Sequence, residues 1–376
     1  MSEPSPFQDA VVLAPLTVGG NLPFRRLCVE LGAQVTYGEM AVVRKLLGGS
    51  PSEFALLKSH PDERFFGVQL ADNKPDTLAE GARLAESRGA RFVDLNCGCP
   101  IHEITRRGLG ASLLRKPKRL GRLVAAMVQA VKVPVTVKLR AGWREAEANV
   151  AQVARVCEES GAAAISIHGR TREQRYSRAA DWEIVGQVAA ERSIPVIGNG
   201  DILTHYEARE RMSRFGVRSV MLARGALIKP WLFREIREGR TLLPTPEERF
   251  AMLWRLVELL REHFGTDERG QKRMLRFLPW HLNFFCRYLP LPEEAYGEQA
   301  REHPLLQSRL SAPAPGSPLE RLLGDARPET HLLLAEELLA SGSREESLAR
   351  AVRLAERLPD AVAASELQVA PSEVAG

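Results

Sequence analysis

Two cysteines separated by one glycine end a hydrophobic run in the segment DLNCGCP, residues 94–100. Such a pair could bind a metal, form a redox couple, pack as two small apolar residues, or combine a reactive thiol with a passive one. We expect no metal, because zinc sites favour a Cys-x2-Cys spacing that is missing here, and Cys28, Cys157 and Cys286 occur singly in helix-like stretches. A free thiol has a pKa of about 8.5, so at neutral pH it can donate a proton as well as act as a nucleophile.

The alternation of side chains along the preceding strand separates the two thiols. In the strand-like run FVDLNC, Cys97 continues the apolar face, whereas Asp94 and Asn96 lie on the other face. Cys97 should therefore pack against helices as a small hydrophobe. Cys99 lies in the loop beyond the strand, and we interpret it as the catalytic candidate.

The elements that would position this loop form a regular series. Short β-branched runs alternate with segments of helical periodicity, and eight parallel strands close a (β/α)8 TIM barrel. A doubly wound open sheet is the alternative, but APLTVGGN follows the first strand instead of a G-x-G-x-x-G. The predicted strands are AVVLAP (10–15), VTYGEM (35–40), FFGVQL (65–70), FVDLNC (92–97), VPVTVKLR (133–140), AAISIHGR (163–170), IPVIGNG (194–200) and SVMLARGA (219–226).

An all-helical C-terminal domain is predicted after the barrel, entered through the linker LLPTPEERF. The Pro/Ser-rich segment SAPAPGSP separates it from further helices. The predicted divisions are a barrel at 1–241, a helical RNA-binding domain at 242–310, a linker and helical extension at 311–360, and a disordered tail at 361–376.

Polar side chains gather where the predicted strands end. Alternate residues of a barrel strand face the lumen, and barrel active sites lie at the carboxyl ends of the strands. A site on this rim explains the cluster better than seven unrelated strand ends. Its members are Gln69, Asn96, Lys138, Arg140, His168, Arg170 and Asn199.

Two glycine-rich turns suggest a phosphorylated ligand. GNGD (198–201) follows the seventh strand and ARGAL (223–227) follows the eighth, the positions at which barrels bind phosphate through backbone N–H groups. Lys138 and His168, on facing strands, could then steady a developing negative charge, as a reduced flavin requires.

Seven stretches of the sequence, including the DLNCGCP segment and the two glycine-rich turns, resemble the dihydrouridine synthases, an FMN-dependent family that reduces uridine in RNA. The region KRMLRFLPWHLNFFCRYLP resembles the eukaryotic branch that acts on the variable loop of tRNA, although the zinc fingers of that branch have no counterpart here. Leu16 also replaces the methionine usual in the APM motif of the family. The matching stretches, between residues 13 and 233, are LAPLTVGGNLPFRRL, FFGVQL, DLNCGCPIHEITRRGLGASLL, VTVKLRAGW, SIHGRTREQRYS, IPVIGNGDI and VMLARGALIKPWLF.

The resemblance implies a role for each candidate residue. Cys99 would be the general acid that protonates C5 of uracil while hydride from reduced FMN reaches C6, and NADPH would reload the flavin. The uridine would have to flip out of its stack, and Asn96, Arg140 and Arg170 would bind it. FMN would contact Pro15, Leu16, Gln69, Lys138, His168, Asn199, Gly200, Asp201, Arg224 and Gly225.

Charge distribution independently favours a polyanionic partner. Eleven Lys or Arg and no acid occur from Ile104 to Arg144, and five more without an acid from Arg269 to Arg287. Lys272, Arg273 and Arg276 can share one helix face, so we predict that they contact RNA phosphates. The expected partner is RNA, and tRNA in particular. Three aromatic residues that follow, Trp280, Phe284 and Phe285, are expected to be core.

Composition indicates a soluble protein, with 44% hydrophobic and 26% charged residues. No apolar run approaches the roughly 18 residues of a membrane span, and MSEPSPFQDAVV lacks the features of a signal peptide. Five cysteines, an odd number, favour a reducing cytoplasm. We expect a cytoplasmic, monomeric protein that binds no membrane.

Other functions stay open at this point. The barrel could be an FMN oxidoreductase that acts on a free pyrimidine, like a dihydroorotate dehydrogenase, although such an enzyme would not need a C-terminal extension of about 130 residues. It could be a Schiff-base aldolase that uses Lys138, or a non-catalytic RNA-binding module. A dihydrouridine synthase could also act on ribosomal RNA instead of tRNA.

Overall fold

A computed structural model describes residues 5–311, 314 and 316–362 of the chain. Its first part is a barrel of parallel strands surrounded by helices. The strands are β1 (Val11–Leu13), β2 (Val35–Tyr37), β3 (Ala41–Val42), β4 (Phe66–Ala71), β5 (Phe92–Cys97), β6 (Val135–Arg140), β7 (Ala164–His168), β8 (Val196–Asn199) and β9 (Ser219–Leu222).

Eight of these strands close on themselves. The sheet runs β2-β1-β9-β8-β7-β6-β5-β4, and β2 pairs with β4 to complete the ring. The predicted TIM barrel is therefore confirmed, and the open-sheet alternative is wrong. The two-residue β3 adds to β4 outside the ring. It was not predicted, because so short a strand runs directly into a helix and leaves no period-2 pattern.

Helices follow the strands around the barrel. In the helix over residues 75–87, Leu78, Ala82 and Ala85 are buried on one face, which is the pattern of a helix packed on a sheet. The helices of this part are α1 (Leu22–Glu30), α2 (Val43–Leu47), α3 (Pro51–Ala55), α4 (Pro75–Ser87), α5 (His102–Thr105), α6 (Pro117–Ala130), α7 (Val150–Glu159), α8 (Trp182–Glu191), α9 (His205–Phe215), α10 (Arg224–Ile228) and α11 (Leu232–Glu238), with 3-10 turns at Gly110–Arg115 and Glu145–Glu147.

The C-terminal part is all helical, as predicted. The barrel part ends at Gly239, which has a left-handed φ of 65°, and a capping box of Thr245 and Glu248 begins the next helix. The helices are α12 (Pro246–Phe264), α13 (Glu268–Phe285), α14 (Glu293–Glu302), α15 (Pro318–Gly324), α16 (Pro328–Ala340) and α17 (Arg344–Arg357), with a 3-10 turn at Leu305–Gln307.

The helical part packs directly on the barrel. Helix α12 lies against α1, and α13 lies against α10 and α16. None of the described helices has the length and apolar character needed to cross a membrane. The proposed domain divisions stay predictions, and the predicted disordered tail falls, from residue 363 onward, outside the described residues.

Candidate active site at the barrel mouth

Strand register brings the predicted polar residues into two successive layers of the barrel. Asn96 of β5 aligns with Lys138 of β6, and Arg140 of β6 aligns with His168 of β7, which aligns with Asn199 of β8. All of these positions lie at the carboxyl ends of their strands. A single pocket, called the mouth pocket below, is lined by every predicted catalytic, cofactor-binding and uracil-binding residue: Pro15, Leu16, Gln69, Asn96, Cys99, Lys138, Arg140, His168, Arg170, Asn199, Gly200, Asp201, Arg224 and Gly225.

A chain of hydrogen bonds, called the amide chain below, runs from the barrel interior to the Cys99 loop. Gln69 Nε2 donates to Asp94 Oδ2 at 2.8 Å, and Asn96 Nδ2 donates to Gln69 Oε1 at 2.7 Å. The backbone nitrogen of Cys99 then donates to Asn96 Oδ1 at 3.0 Å. Since a carboxylate only accepts, Asp94 dictates which way both amides point.

Asp94 is completely enclosed by the barrel. Burial raises the pKa of its carboxyl to about 6, against hydrogen bonds from Thr136 and Gln69 that favour the charged form. The Thr136 hydroxyl donates to Asp94 Oδ1 at 2.6 Å. At neutral pH the group is therefore an ionised acceptor at the base of the amide chain.

Cys99 and Cys97 occupy the different environments that strand alternation predicted. Cys99 lines the mouth pocket, and burial raises the pKa of its thiol, partly offset by the backbone N–H of Ile101 and the charge of Arg140. The thiol is thus mostly protonated at neutral pH. Cys97 points away from the pocket into the strand–helix layer, where burial raises its pKa further, with Cys157 of α7 nearby.

A metal bound by these thiols would need a set of further ligands in their surroundings. All five cysteines are free and buried. Within residues 5–311, 314 and 316–362, no group of three or more His, Cys, Asp or Glu side chains could hold a metal ion.

Two cations extend from β6 into the pocket. Burial and the neighbouring Arg140 lower the pKa of Lys138 to about 8, and its Nζ lies 3.2 Å from Asn199 Oδ1. Burial also lowers the pKa of Arg140 to about 10, so it stays charged at neutral pH. Arg140 Nε donates to the Gly98 carbonyl at 2.8 Å, which holds the Cys99 loop from the side opposite Asn96.

His168 and Arg170 are joined to the turn after β8. Arg170 Nη2 lies 2.5 Å from Asp201 Oδ2, and Arg170 Nη1 lies 3.1 Å from His168 Nε2. Burial and three arginines and a lysine nearby lower the pKa of His168 well below its usual value, so the imidazole is neutral. Arg170 Nε donates to the Arg178 carbonyl, so every guanidinium nitrogen of Arg170 has a protein partner. Its role in binding uracil stays a prediction.

The mouth pocket contains residues that sequence reasoning did not identify. Tyr176 lies in the quoted stretch SIHGRTREQRYS, and its ring centroid is 4.1 Å from the Arg224 guanidinium. The sole aromatic of that polar loop was a signal available in the sequence. Leu306 comes from a distant 3-10 turn and had no such signal. The lining residues outside the predicted set are Ala14, Thr17, Met40, Gly98, Tyr176, Ile202, Met221, Ala223 and Leu306.

The lining suits an anionic ligand with a flat apolar ring. Four cations, Lys138, Arg140, Arg170 and Arg224, face a single carboxylate, Asp201. Side-chain amides can meet the polar edge of a ring, and a phosphate would offset the excess positive charge. An FMN molecule has these features, so the residues fit it. The apolar part of the lining includes Leu16, Met40, Met221, Ile202 and Leu306.

The predicted RNA-binding residues lie outside the mouth pocket, on the exposed face of α13. The expectation that no acid neutralises them is wrong for Lys272, because its Nζ lies 2.6 Å from Glu268 Oε1 one turn earlier. Arg273 and Arg276 are exposed without such a partner among the described residues. Arg287 instead is partly buried, with its guanidinium 5.0 Å from the Phe284 ring centroid.

The aromatics of α13 are core residues, as predicted. Phe284 and Phe285 are buried. Trp280 is partly buried against Gly19, where a Cβ would lie 2.4 Å from its ring. This contact ties α13 to the loop after β1 that contains Pro15 and Leu16.

Comparisons with known proteins identify the family of these residues. The sequence model of the dihydrouridine synthase (Dus) family matches residues 12–291. The chain is 42% identical over 294 residues to a "tRNA-dihydrouridine(47) synthase [NAD(P)(+)]" of Coprinopsis cinerea, with 74% of this chain and 44% of that protein covered. It is 44% identical over 281 residues to the human "tRNA-dihydrouridine(47) synthase [NAD(P)(+)]-like" protein, with 74% and 43% covered. The chain thus spans less than half the length of these relatives.

A solved structure supports the fold alone. The 6-hydroxypseudooxynicotine amine oxidase of Pseudomonas geniculata N1 superposes with a TM-score of 0.50 at 13% identity, covering 66% of this chain and 50% of that one. The likeness is consistent with the barrel.

Proposed function

The chain belongs to the dihydrouridine synthase family, and we propose that it reduces the C5=C6 bond of a uridine in tRNA to dihydrouridine, with NADPH as the reductant. The proposed target is nucleotide 47, the position in the names of the curated relatives. The family match extends over the whole barrel and into the helical part. Since the chain covers under half of those relatives, its own activity and substrate are proposals.

FMN is the proposed cofactor, implied by the family. Bound FMN, once reduced, supplies the hydride that C6 of uracil accepts. Lys138 and Asn199 would hold the polar edge of the ligand, and Arg224 would meet the phosphate beside the turn after β9. The excess of positive charge in the mouth pocket supports this assignment.

Cys99 is the proposed general acid. Hydride addition at C6 leaves an electron pair on C5, where conjugation with the C4 carbonyl stabilises it, and C5 must then gain a proton. The Cys99 thiol breaks its S–H bond and forms the C5–H bond, and the resulting thiolate recovers a proton from water. The observation that carries the proposal is that Cys99 lines the pocket with its thiol kept protonated by burial.

Asn96 and Arg140 would orient the flipped base as well as the loop. Both hold the backbone of residues 98–99, from Asn96 Oδ1 on one side and from Arg140 Nε on the other. The backbone from which the Cys99 thiol extends would therefore be held in a fixed position relative to the base. Precise placement of the donor is what general acid catalysis requires.

The test is direct mapping of product. Purified protein, FMN and NADPH are incubated in parallel with an unmodified tRNA transcript, with ribosomal RNA and with a free pyrimidine, and dihydrouridine in the RNA is located at nucleotide resolution. We expect a single new dihydrouridine at nucleotide 47. Product only in ribosomal RNA would correct the substrate. Reduction of a free pyrimidine without any dihydrouridine in RNA would overturn the proposal.

A further inference from the structure

A second concave surface lies at the rim of the barrel, between the beginnings of α4 and α6. It has a volume of about 710 Å³ and is called the rim groove below. Five of its nine lining residues are Lys or Arg, and none is Asp or Glu. The lining residues are Asn73, Lys74, Pro75, Lys116, Pro117, Lys118, Arg119, Arg122 and Gln152.

Topology places the rim groove on the catalytic side of the barrel. Helix α4 begins at Pro75, just beyond the carboxyl end of β4, and α6 begins at Pro117, after the loop that contains Cys99. Helices of a βα barrel start at the face where the strands end. The rim groove and the mouth pocket therefore open on the same face.

Hydrogen bonds connect the rim groove to the Cys99 loop. Asn73 Nδ2 donates to the Arg107 carbonyl at 2.9 Å, and Arg119 Nη2 donates to the Asn73 carbonyl at 2.7 Å. Further along the same loop, the backbone nitrogen of Ala111 donates to the Cys99 carbonyl at 3.0 Å. A ligand held in the rim groove would thus contact the structure that positions the proposed acid.

Four cations of the rim groove have no carboxylate partner among the described residues. Lys74, Lys116, Lys118 and Arg122 are exposed, and in the part of the chain that the structure describes none has a carboxylate within 4.0 Å. Neither Lys74 nor Lys116, the residues before the two helices, caps them with a side chain.

We propose that the rim groove binds phosphates of the tRNA backbone next to the target uridine. This inference rests on the proposed function and deepens it. The groove follows β4 and β5, whereas α13 packs on α10 and on the loop after β1, across the ring of strands. The RNA would lie over the mouth between two cationic surfaces, with its flipped base entering between them. Phosphate contacts supply register and affinity and little sequence information.

The test compares two double variants with equal loss of charge. Lys116→Gln/Arg122→Gln removes two cations from the rim groove. Arg91→Gln/Lys132→Gln removes an exposed Arg and an exposed Lys just before β5 and β6, at the opposite end of the barrel. Arg119 is left intact because it supports Asn73. Binding of a labelled tRNA transcript is measured from low to physiological salt, together with the KM for tRNA, FMN content and melting temperature.

We expect the rim variant to weaken tRNA binding several-fold and to reduce the log–log salt dependence by about 1.5, at roughly 0.7–0.9 for each lost contact. The control variant should match the wild type, and both variants should keep FMN and its reduction by NADPH without RNA. Equal salt slopes in the two variants would overturn the inference. A change in the KM for NADPH without RNA would assign the groove to the dinucleotide phosphate instead. Absence of dihydrouridine formation by the wild-type protein would refute the proposed function. The binding assay would still show whether the rim groove binds tRNA phosphates, because it does not depend on catalysis.

Discussion

The backbone nitrogen of Cys99 donates a hydrogen bond to the side-chain oxygen of Asn96 over 3.0 Å. This bond is the last link of the amide chain that begins at the buried Asp94. Each amide in the chain uses its NH2 toward the interior and its oxygen toward the pocket side. The orientation of the catalytic loop therefore depends on a carboxylate that lines no part of the pocket.

Asp94→Asn should impair catalysis without emptying the site. An asparagine of the same shape can present either oxygen or NH2 to Gln69, so the amide chain loses its single orientation. A hydrogen bond to a charged group contributes about 1.5–3 kcal/mol, which corresponds to roughly a ten- to hundred-fold fall in kcat. The measurement is dihydrouridine formation at saturating tRNA. Thr136→Val, which removes the other donor to Asp94 but leaves Gln69 in place, should cost less. Equal losses in both variants would contradict the role of the amide chain.

Asp94 also predicts a dependence of stability on pH. Its pKa is raised to about 6 in the folded protein from an ordinary 3.8, so the folded state binds the proton more tightly than the unfolded state. The contribution of this group to stability is therefore lost as pH rises from about 4 to about 6. At 1.36 kcal/mol per pKa unit the change is at most about 3 kcal/mol. Urea unfolding should show Asp94→Asn gaining stability relative to wild type over this window, and a constant difference would contradict the shift.

Cys99→Ala and Cys97→Ala form a matched pair. The Cys99 variant should fold, keep FMN and accept electrons from NADPH, yet lose about 10²–10⁴-fold in dihydrouridine formation, the usual contribution of a general acid. Cys97→Ala should keep activity and lose about 1 kcal/mol of stability, because its sulfur fills a space in the strand–helix layer. Product formation and thermal unfolding separate the two effects. The reverse pattern would reassign the reactive thiol.

Lys138 should impose an upper pH limit on flavin reduction. With a pKa of about 8, its ammonium is present below that pH and is lost as pH rises through it. Negative charge developing on the reduced ring would then lose one of the counter-charges that line the pocket. NADPH-driven flavin reduction without RNA should therefore fall above pH 8 in wild type. In Lys138→Arg, whose side chain stays charged, the fall should move to higher pH; an unchanged profile would exclude Lys138 as its cause.

Local periodicity was enough to predict the barrel and most of its site. Alternation along β5, β6 and β7 separates Asn96, Lys138 and His168 from their apolar neighbours, and that alternation is written in consecutive residues. Contacts between segments that are distant in the chain could not be predicted from the sequence. Gln69 meets Asp94 only because β4 pairs with β5. Gln307 is another example. With its side-chain amide oriented so that both groups are satisfied, its oxygen accepts from Arg170 Nη2 at 3.2 Å and its nitrogen donates to the Tyr176 carbonyl at 3.2 Å.

The basic run of α13 shows a different reason why a prediction from the sequence was incomplete. Counting acids only between Arg269 and Arg287 left out Glu268, which lies one turn before Lys272 and pairs with it. Helical neighbours are three and four residues apart, so the ends of a charge run must be extended by one turn before its net charge is assessed. The corrected surface consists chiefly of Arg273 and Arg276.

Arg273→Gln/Arg276→Gln should weaken tRNA binding more than Lys272→Gln does. Lys272 already has a carboxylate partner, whereas the two arginines are exposed and free to meet phosphates. Removing two phosphate contacts should raise the KM for tRNA and lower the log–log salt dependence by about 1.5. Glu268→Gln should act in the opposite direction and strengthen binding, since it releases Lys272 without changing the helix core. NADPH-driven flavin reduction, which needs only the barrel, should be equal in all of these variants. If the salt slope of the double arginine variant equals that of wild type, α13 is a structural support for the loop after β1, and the rim groove remains as the proposed phosphate site.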